Sequence, residues 1–471
     1  MGIRKTIIVG VAVLGVISGA VTASGPALGA SIATTDVTGS YYKLAPQRVL
    51  DTRSGQGVPR GQLGAGRALS LRVTGTAGIP AAGVSAVVLN LTVTNPTASS
   101  YLVAYPHDSA RPNASALNFP RGFTGANLVT IPIGASGTVD VYNAAGSVDV
   151  VADVLGFYAA DNSPSATLGH SGGFVGVNPL RLFDSRRDQT GGQIVPFYDQ
   201  SFVTLPVDFG STVNPHVTGL VVNITADQES SGGFVRAWDG GREPATSTVN
   251  FSRATTVANA AVVPSQSCTI DAGCAGFPSI RLKVFTPGTT HLIVDLVGVM
   301  VDGTLTDPSD PTYSLDWRYR PVATPQRIVD TRTGLGGSLR LGPQADKVVV
   351  TPASVAGPDT AALVGNLTAV SPSTSTWFSV WAAGSAQPGI SNVNPARGSI
   401  VANAAFVTVG VANDFHLYNA AGAADALLDV AGTFEYHRTS TTPGLQRSSA
   451  TAAQVPVPAQ TPPSATPARG N

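Results

Sequence analysis

Several residue types are scarce in this chain of 471 residues. It contains two cysteines, three glutamates and four lysines, and charged residues make up only 12% of the total. Long exposed helices are usually rich in Glu and Lys, so their scarcity argues against a helical protein. Lys+Arg 28 and Asp+Glu 28 give a formal net charge of zero. Nucleic acids and anionic membranes both select proteins with a basic surplus, so neither is an expected partner.

Only the N-terminus has the features of a targeting segment. Arg4 and Lys5 precede a short apolar run at 7–17, and small residues follow. We interpret residues 1–30 as a secretory signal peptide, cleaved between about residues 24 and 34. An uncleaved anchor is the alternative, but the apolar run is short and interrupted by glycine. No second apolar stretch of about 20 residues follows, so we predict a secreted or extracellular protein, with cell-wall association as a further option.

The two cysteines are Cys268 and Cys274. An even pair in a secreted chain favours a disulfide, which here would close a small loop. A metal site would need more ligands, so we predict neither a metal nor a cofactor. From 438 to 471 the chain is rich in Pro, Ala, Ser and Thr without hydrophobic periodicity, which is typical of a flexible tail.

Three long internal repeats dominate the rest of the sequence. A Pro-x-Arg-x-x-Asp-Thr/Ser-Arg motif places aspartates at Asp51, Asp184 and Asp330, and an Asp-x-x-Gly motif closes each repeat at Asp153, Asp295 and Asp429. The spacing exceeds that of solenoid repeats, so each repeat is a whole domain. We define unit 1 as 41–158, unit 2 as 174–303 and unit 3 as 321–437, with linkers near 159–173 and 304–320. Unit 2 carries an insertion that contains both cysteines.

Each unit is predicted to be all-β. Residues 86–94 alternate, with Val87, Leu89, Leu91 and Val93 on one face, and short β-branched runs lie between Gly, Pro, Asn and Asp clusters. This pattern indicates about seven to nine antiparallel strands per unit, packed as a β-sandwich or jelly roll. A closed β-barrel is the alternative. The second linker, with its Asp-Pro-Ser-Asp-Pro sequence, is predicted to be a stiff spacer.

The repeated motif resembles that of secreted actinobacterial proteins with tandem Pro-x-Arg-x-x-Asp-Thr-Arg units that end in Asp-Val-x-Gly-Tyr-Tyr. The resemblance covers about residues 40–437 and is best in unit 1, whereas unit 2 departs at Asp-Ser-Arg and at Asp295-Leu-Val-Gly-Val299. It implies an exported surface or wall-associated protein and no established activity.

Charged residues recur at matching positions. On an ideal strand, Asp51 and Arg53 would share one face and Arg48 would point to the other. Two arginines and two aspartates can satisfy one another, so we predict a structural network that ties the first strand of each unit to its last, with at least one buried pair per unit. A repeated polar binding site is the alternative. The set comprises Arg48, Asp51, Arg53, Asp153, Arg181, Asp184, Arg186, Asp295, Arg327, Asp330, Arg332 and Asp429.

Asparagines recur as well. Asn90, Asn223 and Asn366 begin Asn-x-Thr triplets that resemble glycosylation sequons. They lie in mid-strand on the face opposite the aliphatic residues, so we interpret them as hydrogen-bonding residues. A second set follows Ala126, Ala258 and Ala402, and it is predicted to bond backbone in turns. This second set comprises Asn127, Asn259 and Asn403.

A recurring aromatic pair is the best candidate for a binding surface. Each pair shares one strand face, and the residue between its members is Val103, Arg236 or Ser379. Aromatic rings on a solvated face could stack on sugar rings, whereas packing beneath a loop or against the next unit is the structural alternative. The candidate binding residues are Tyr101 and Tyr105, Phe234 and Trp238, and Trp377 and Trp381.

No catalytic constellation emerges. The six histidines occupy no shared position, and motifs for nucleophilic, metal-dependent or phosphate-binding chemistry do not occur. We therefore predict a non-enzymatic surface or adhesion protein that binds polysaccharide, such as a cell-wall glycan, weakly at several modules. A surface protein is a second possible partner. The alternatives are a secreted hydrolase with an active site between units and a purely structural spacer.

Overall fold

The computed structural model describes residues 36–187, 195–269, 272–305 and 315–437. The predicted signal peptide, its cleavage region and the tail at 438–471 lie outside these residues. Strands account for 53% of the described residues and helices for 2%. None of the helices in the described ranges has the length and apolarity needed to cross a membrane.

Unit 1 is an eight-stranded jelly roll. An inner sheet in the order β1-β8-β3-β6 faces an outer sheet in the order β2-β7-β4-β5, and all pairings are antiparallel. This pair of four-stranded sheets is the jelly-roll arrangement. The strands are β1 (Tyr41–Asp51), β2 (Arg67–Arg72), β3 (Val84–Thr94), β4 (Ser100–Pro106), β5 (Leu117–Phe119), β6 (Gly125–Pro132), β7 (Thr138–Asn143) and β8 (Asp149–Ala159).

Unit 2 repeats this plan with additions. Its inner sheet runs β9-β18-β12-β15, with β10 also on β18, and its outer sheet runs β11-β17-β13-β14, with β16 on β17. The strands are β9 (Phe174–Asp184), β10 (Phe197–Tyr198), β11 (Phe202–Pro206), β12 (Val217–Asp227), β13 (Gly233–Trp238), β14 (Val249–Phe251), β15 (Val257–Pro264), β16 (Gln266–Ser267), β17 (Pro278–Phe285) and β18 (Thr289–Val301).

Unit 3 is the most reduced copy. Its inner sheet runs β19-β25-β21-β23 and its outer sheet β20-β24-β22. The prediction of antiparallel sandwich units is confirmed, and the closed-barrel alternative is wrong, because the strands of each unit fall into two separate sheets. The strands are β19 (Arg318–Asp330), β20 (Ala345–Val350), β21 (Thr360–Val370), β22 (Phe378–Ala382), β23 (Ile400–Thr408), β24 (Asp414–Asn419) and β25 (Asp425–Glu435).

The connections between units are short ordered segments where they are described. The first contains a four-residue helix, α1 (Ser165–Leu168), and a 3-10 turn at Asn214–His216 lies within unit 2. The Asp-Pro-Ser-Asp-Pro segment that predicts a stiff spacer lies outside the described residues, so the stiffness of the spacer stays a prediction. The C-terminal end of the same linker is described and packs between the units. Trp317 is fully buried and its backbone bonds that of Phe174 at the start of unit 2, because it belongs to the packing between units.

Both faces of the inner sheets are buried. In β3, Val87, Leu89 and Leu91 pack inside the unit 1 sandwich. Ala86 and Val88, on the other face, belong to an apolar cluster that contains residues of all three units. The period-2 pattern identifies the first face correctly. The second face is covered by neighbouring units, so each unit keeps its own sandwich while the three share a central interface.

Three pairs of asparagines close this interface around an approximate threefold axis. The Asn127 Nδ2 donates to Asn366 Oδ1 at 2.9 Å, Asn259 Nδ2 to Asn90 Oδ1 at 2.9 Å, and Asn403 Nδ2 to Asn223 Oδ1 at 2.8 Å. Unit 1 therefore bonds unit 3, unit 2 bonds unit 1, and unit 3 bonds unit 2. The three bonds form a closed ring.

The three donor amides, those of Asn127, Asn259 and Asn403, also accept hydrogen bonds from the unpaired edges of the inner sheets. The Oδ1 atoms of Asn259, Asn403 and Asn127 accept from the backbone N–H of Leu128, Ala260 and Ala404, respectively, at 2.9 Å each. Strands β6, β15 and β23 lie at the edges of their sheets and would otherwise leave these N–H groups unpaired. The prediction that this set bonds backbone is confirmed, but its placement in turns is wrong, because all three residues lie within strands.

Aromatic residues fill the interface beside the asparagines. A Cβ at Gly156, Gly298 or Gly432 would lie within 2.4 Å of a ring that begins each unit. The glycine of the Asp-x-x-Gly motif therefore leaves room for a ring to lie flat on the last strand. The rings involved are Tyr41, Phe174 and Tyr319. Tyr319 contacts Tyr158 of unit 1 and Phe174 contacts Phe434 of unit 3 across unit boundaries, whereas Tyr41 contacts Tyr158 within unit 1.

Candidate functional site

The recurring charges join the first and last strands of each unit. Arg48 Nε lies 3.0 Å from Asp153 Oδ1 across β1 and β8, and Arg48 Nη1 lies 3.2 Å from Asp51 Oδ2. Arg53 binds Asp51 with two parallel hydrogen bonds of 2.9 and 2.7 Å. Both aspartates are buried, whereas the arginines reach the surface. Each set is a compact ion-pair network with balanced charge.

Units 2 and 3 repeat the geometry. Arg181 and Arg327 bind the last-strand aspartate at 2.9 and 2.8 Å. Asp184 and Asp330 accept from the second arginine of their motif at 2.9 and 2.7 Å, respectively. In unit 2 the second arginine also binds Asp227 at 3.0 Å. The contacts therefore recur with small local additions; the remaining members of these sets are Asp295, Asp429, Arg186 and Arg332.

The predicted orientation of these residues on β1 is wrong. Strand β1 ends at Asp51, and Arg53 lies in the turn that follows. A register shift between Arg48 and Leu50 adds one residue to β1, and Arg48 and Asp51 consequently lie on the same side and in contact. A β-bulge of this kind breaks the strict alternation on which the prediction depended.

The two aspartates of each set have opposite pKa shifts. Hydrogen bonds from Arg53 and Arg332 lower the pKa of Asp51 and Asp330. Burial would raise the pKa of Asp184, but the hydrogen bonds and charge of Arg186 outweigh it and lower the pKa.

The last-strand carboxyl groups behave in the opposite way. Burial raises the pKa of Asp153 and Asp429, and it raises the pKa of Asp295 to about 6, although an arginine contacts each of them. Removal from water outweighs the charge of one partly exposed partner. These carboxyl groups lie inside the fold, where they pair with an arginine of the first strand of their unit.

The six candidate aromatic residues divide into two classes. The second member of each pair is buried: Tyr105 is 7% exposed, Trp238 4% and Trp381 2%. Tyr101 is 41% exposed, and Phe234 and Trp377 are half-buried. Each unit therefore presents one accessible ring at an equivalent position, which lies on an outer-sheet strand in units 1 and 2 and immediately before β22 in unit 3. The expected two-ring platform is reduced to a single ring in each copy.

The accessible rings have different neighbours. The Phe234 ring stacks on Phe285 with centroids 4.7 Å apart, and the guanidinium of Arg236 lies over both rings. The Trp377 ring contacts Tyr418 at 5.1 Å. Tyr101 stands on β4 directly opposite Asn118 of β5. The surface around the accessible rings is therefore partly polar and partly aromatic.

A cleft of about 400 Å³ opens beside Tyr101, between unit 1 and unit 3. A cavity of this size falls within the range of small-molecule sites, about 300–1,000 Å³. It brings together two features that are far apart in sequence, the aromatic position of unit 1 and the arginines of unit 3. Its lining comprises Tyr101, Val103, Arg111, Pro112, Asn113, Ala114, Ser115, Asn118, Arg327, Arg332, Thr368, Val370, Ile400 and Leu427.

One wall of the cleft is a loop that the sequence analysis did not single out. Its residue Ser115 donates its backbone N–H to Asp429 of unit 3 at 3.3 Å and accepts from Asn366 through its carbonyl oxygen. The carbonyls of Ser247 and Ser391 accept from Asn90 and Asn223 in the same way, at 2.8 and 2.7 Å.

A repeated signal for this loop is present in the sequence. Pro112, Pro244 and Pro388 each begin a Pro-x-x-Ser-x-x-Asn motif. The motif supplies the serine carbonyl that accepts from the Asn-x-Thr amide of a neighbouring unit: unit 3 for Ser115, unit 1 for Ser247 and unit 2 for Ser391. Those amides are buried and bonded, which leaves them inaccessible to glycosylation in the folded protein.

The predicted disulfide between Cys268 and Cys274 is confirmed. It closes the loop between β16 and β17 of unit 2. The bridge therefore belongs to the insertion and lies outside the elements that the three units share.

Comparisons with known proteins give no family. No family model matches the chain, and no curated protein matches it. Two solved structures of viral proteins match it at low similarity. One is described as the atomic structure of Sulfolobus Turreted Icosahedral Virus, with 8% identity over 84% of this chain and 91% of that chain. The other is described as the triple jelly roll fold and turret assembly in an archaeal virus, with 8% identity over 85% and 91%. Both have a TM-score of 0.17, too low to carry an argument.

Proposed function

We propose that the protein is an exported, non-enzymatic surface or extracellular protein that binds polysaccharide weakly at three places. The observation that carries this proposal is the accessible ring at the equivalent position of every unit: Tyr101 on β4, Phe234 on β13 and Trp377 immediately before β22. An exposed ring on a rigid sheet can stack on a sugar ring at little entropic cost. The proposed export depends on the signal-like N-terminus and on the resemblance of the repeats to secreted proteins.

The arrangement of the units favours simultaneous binding. The asparagine ring and the shared apolar cluster hold the three jelly rolls in one body. The three rings are therefore presented at fixed separations. A repeating polymer can engage a second ring at high effective concentration after the first has bound, so modest single-site affinities combine.

The cleft lining favours binding over hydrolysis. A hydrolase between units would be expected to gather aspartates, glutamates or histidines with shifted pKa values in this cleft. The described lining instead contributes arginines, amides and a tyrosine. Its chemistry is suited to recognition.

The proposal is tested by binding to immobilised envelope and environmental polysaccharides, with the secreted chain and the variants Tyr101→Ala, Phe234→Ala and Trp377→Ala. We expect each variant to reduce binding to a polymer by about tenfold, and to reduce binding to a short oligosaccharide less, because loss of avidity affects the polymer alone. Leu339→Ala is the matched control, since Leu339 is 69% exposed and apolar but is not an aromatic candidate. Equal binding by all four variants would reject the ring surfaces as the site.

A further inference from the structure

The cleft between units 1 and 3 contains one uncompensated positive charge. Arg327 binds Asp429 and Asp330, and Arg332 binds Asp330. Arg111, in contrast, has no carboxylate partner among the described residues. Its guanidinium lies 3.8 Å from the centroid of the Tyr142 ring, which holds the side chain at the rim of the cleft while its hydrogen-bond donors remain available.

The other two units lack this feature. The position of Arg111, immediately before the motif proline, is Glu243 in unit 2 and Gln387 in unit 3. Glu243 is itself neutralised by Arg236 and Lys283. Gln387 carries no charge. The three boundaries share their backbone contacts but differ in charge, so unit 1 provides the only one of these three positions that carries a free cation.

Groups that suit a sugar surround this cation. Tyr101 presents an exposed ring, and the Asn113 and Asn118 amides line the same cleft. The hydroxyl of Thr368 is buried at the cleft floor and has no hydrogen-bond partner among the described residues. The equivalent hydroxyls of Thr92 and Thr225 are likewise without a partner among the described residues, so this feature is common to the three units and the ring, the amides and Arg111 distinguish the cleft.

We propose that this cleft selects saccharide residues that carry one carboxylate, with the sugar ring on Tyr101 and the carboxylate on Arg111. Arginine binds carboxylate with two parallel hydrogen bonds, and one free positive charge matches a singly charged ring. The inference deepens the proposed polysaccharide binding and depends on it. It assigns the three sites different preferences, with the acidic one at the boundary of units 1 and 3.

The test compares trigalacturonic acid with its fully methyl-esterified form, by calorimetry at low ionic strength. The two probes have the same rings and differ in charge. We expect the secreted chain to bind the acid about fivefold more tightly than the ester, as for a partly exposed ion pair. Arg111→Gln, which copies unit 3, is expected to abolish this preference. Tyr101→Ala is expected to weaken the binding of both probes.

Arg72→Gln is the matched control, because Arg72 is an exposed arginine on β2 of the same outer sheet and does not line the cleft. It is expected to keep the fivefold preference. Equal binding of acid and ester, or a preference that survives Arg111→Gln, would overturn the acidic assignment while the wider polysaccharide proposal stands. If neither probe nor any neutral glycan binds, the proposed function itself fails.

Discussion

Removing the Asn127 amide at the threefold axis should weaken the contacts between the units and lower the stability of the protein. Asn127 is 1% exposed. Its Nδ2 donates to Ala116 O at 2.6 Å and to Asn366 Oδ1 at 2.9 Å, and its Oδ1 accepts from Ala404 N at 2.9 Å. Asn127→Ala would remove all three hydrogen bonds and leave each of these partner groups unsatisfied. With about 1 kcal/mol or more for each buried group left unsatisfied, we expect the free energy of unfolding to fall by about 3 kcal/mol.

The decisive quantity is the coupling between units. Asn127 and Asn366 are in direct contact although they belong to different units. In a double-mutant cycle with Asn366→Ala, measured by urea unfolding, we expect the two effects to be non-additive by more than about 0.5 kcal/mol. Independent units joined only by linkers would show no such coupling.

A matched control pair is available inside the units. Asn143 and Asn419 are both 0% exposed, and each bonds only its own unit. Alanine at these positions should destabilise the protein comparably, but the two effects should add within about 0.3–0.5 kcal/mol. Additive effects for Asn127 and Asn366 as well would refute the inference that the amides hold the units together.

Three further outcomes follow from the described contacts. Burial raises the pKa of Glu229 to about 7, above its ordinary 4.5, so its protonation favours the folded state and this stabilisation is lost as the pH rises from about 4.5 to 7. The free energy of unfolding of Glu229→Gln, relative to that of the native protein, should therefore rise by up to about 3 kcal/mol between pH 4 and pH 8. A difference that does not change with pH would contradict this. Asp184→Ala should cost about 3 kcal/mol in urea unfolding, because the buried carboxylate pairs with three arginines, Arg181, Arg186 and Arg187; an unchanged midpoint would reject the structural role of the network. Replacing Cys268 and Cys274 by Ser should cost about 2 kcal/mol without changing trigalacturonate binding, and lost binding would show that the unit 2 loop contributes to the cleft.

Local patterns in the sequence predict the units well. Alternation in β3 identifies the sandwich face, Val87 to Val93, because side chains in a strand alternate regardless of what covers the other side. The cysteine pair and the recurrence of Arg and Asp are likewise local signals. The orientation of Arg48 was mispredicted because a bulge shifts the register, and a bulge leaves no trace in a period-2 pattern.

The contacts between units lie beyond such patterns. The local pattern places Asn127 in a turn, and it carries no sign of the actual partners, Asn366 and Ala404, which are more than 200 positions away. The same holds for the cleft. Tyr101 and Arg332 line it together only because unit 1 packs against unit 3. The Pro-x-x-Ser-x-x-Asn repeat is visible in the sequence, but its meaning depends on the geometry of the neighbouring unit.

Small-angle X-ray scattering of residues 36–437 tests the central claim, that three jelly rolls form one body around a common axis. A compact chain of this length should have a radius of gyration of about 22 Å. Three independent units on extended linkers would exceed about 30 Å, since each unit alone contributes about 14 Å and the rest comes from their separation. A value near 22 Å is the predicted result, and a value above 30 Å would contradict the shared interface.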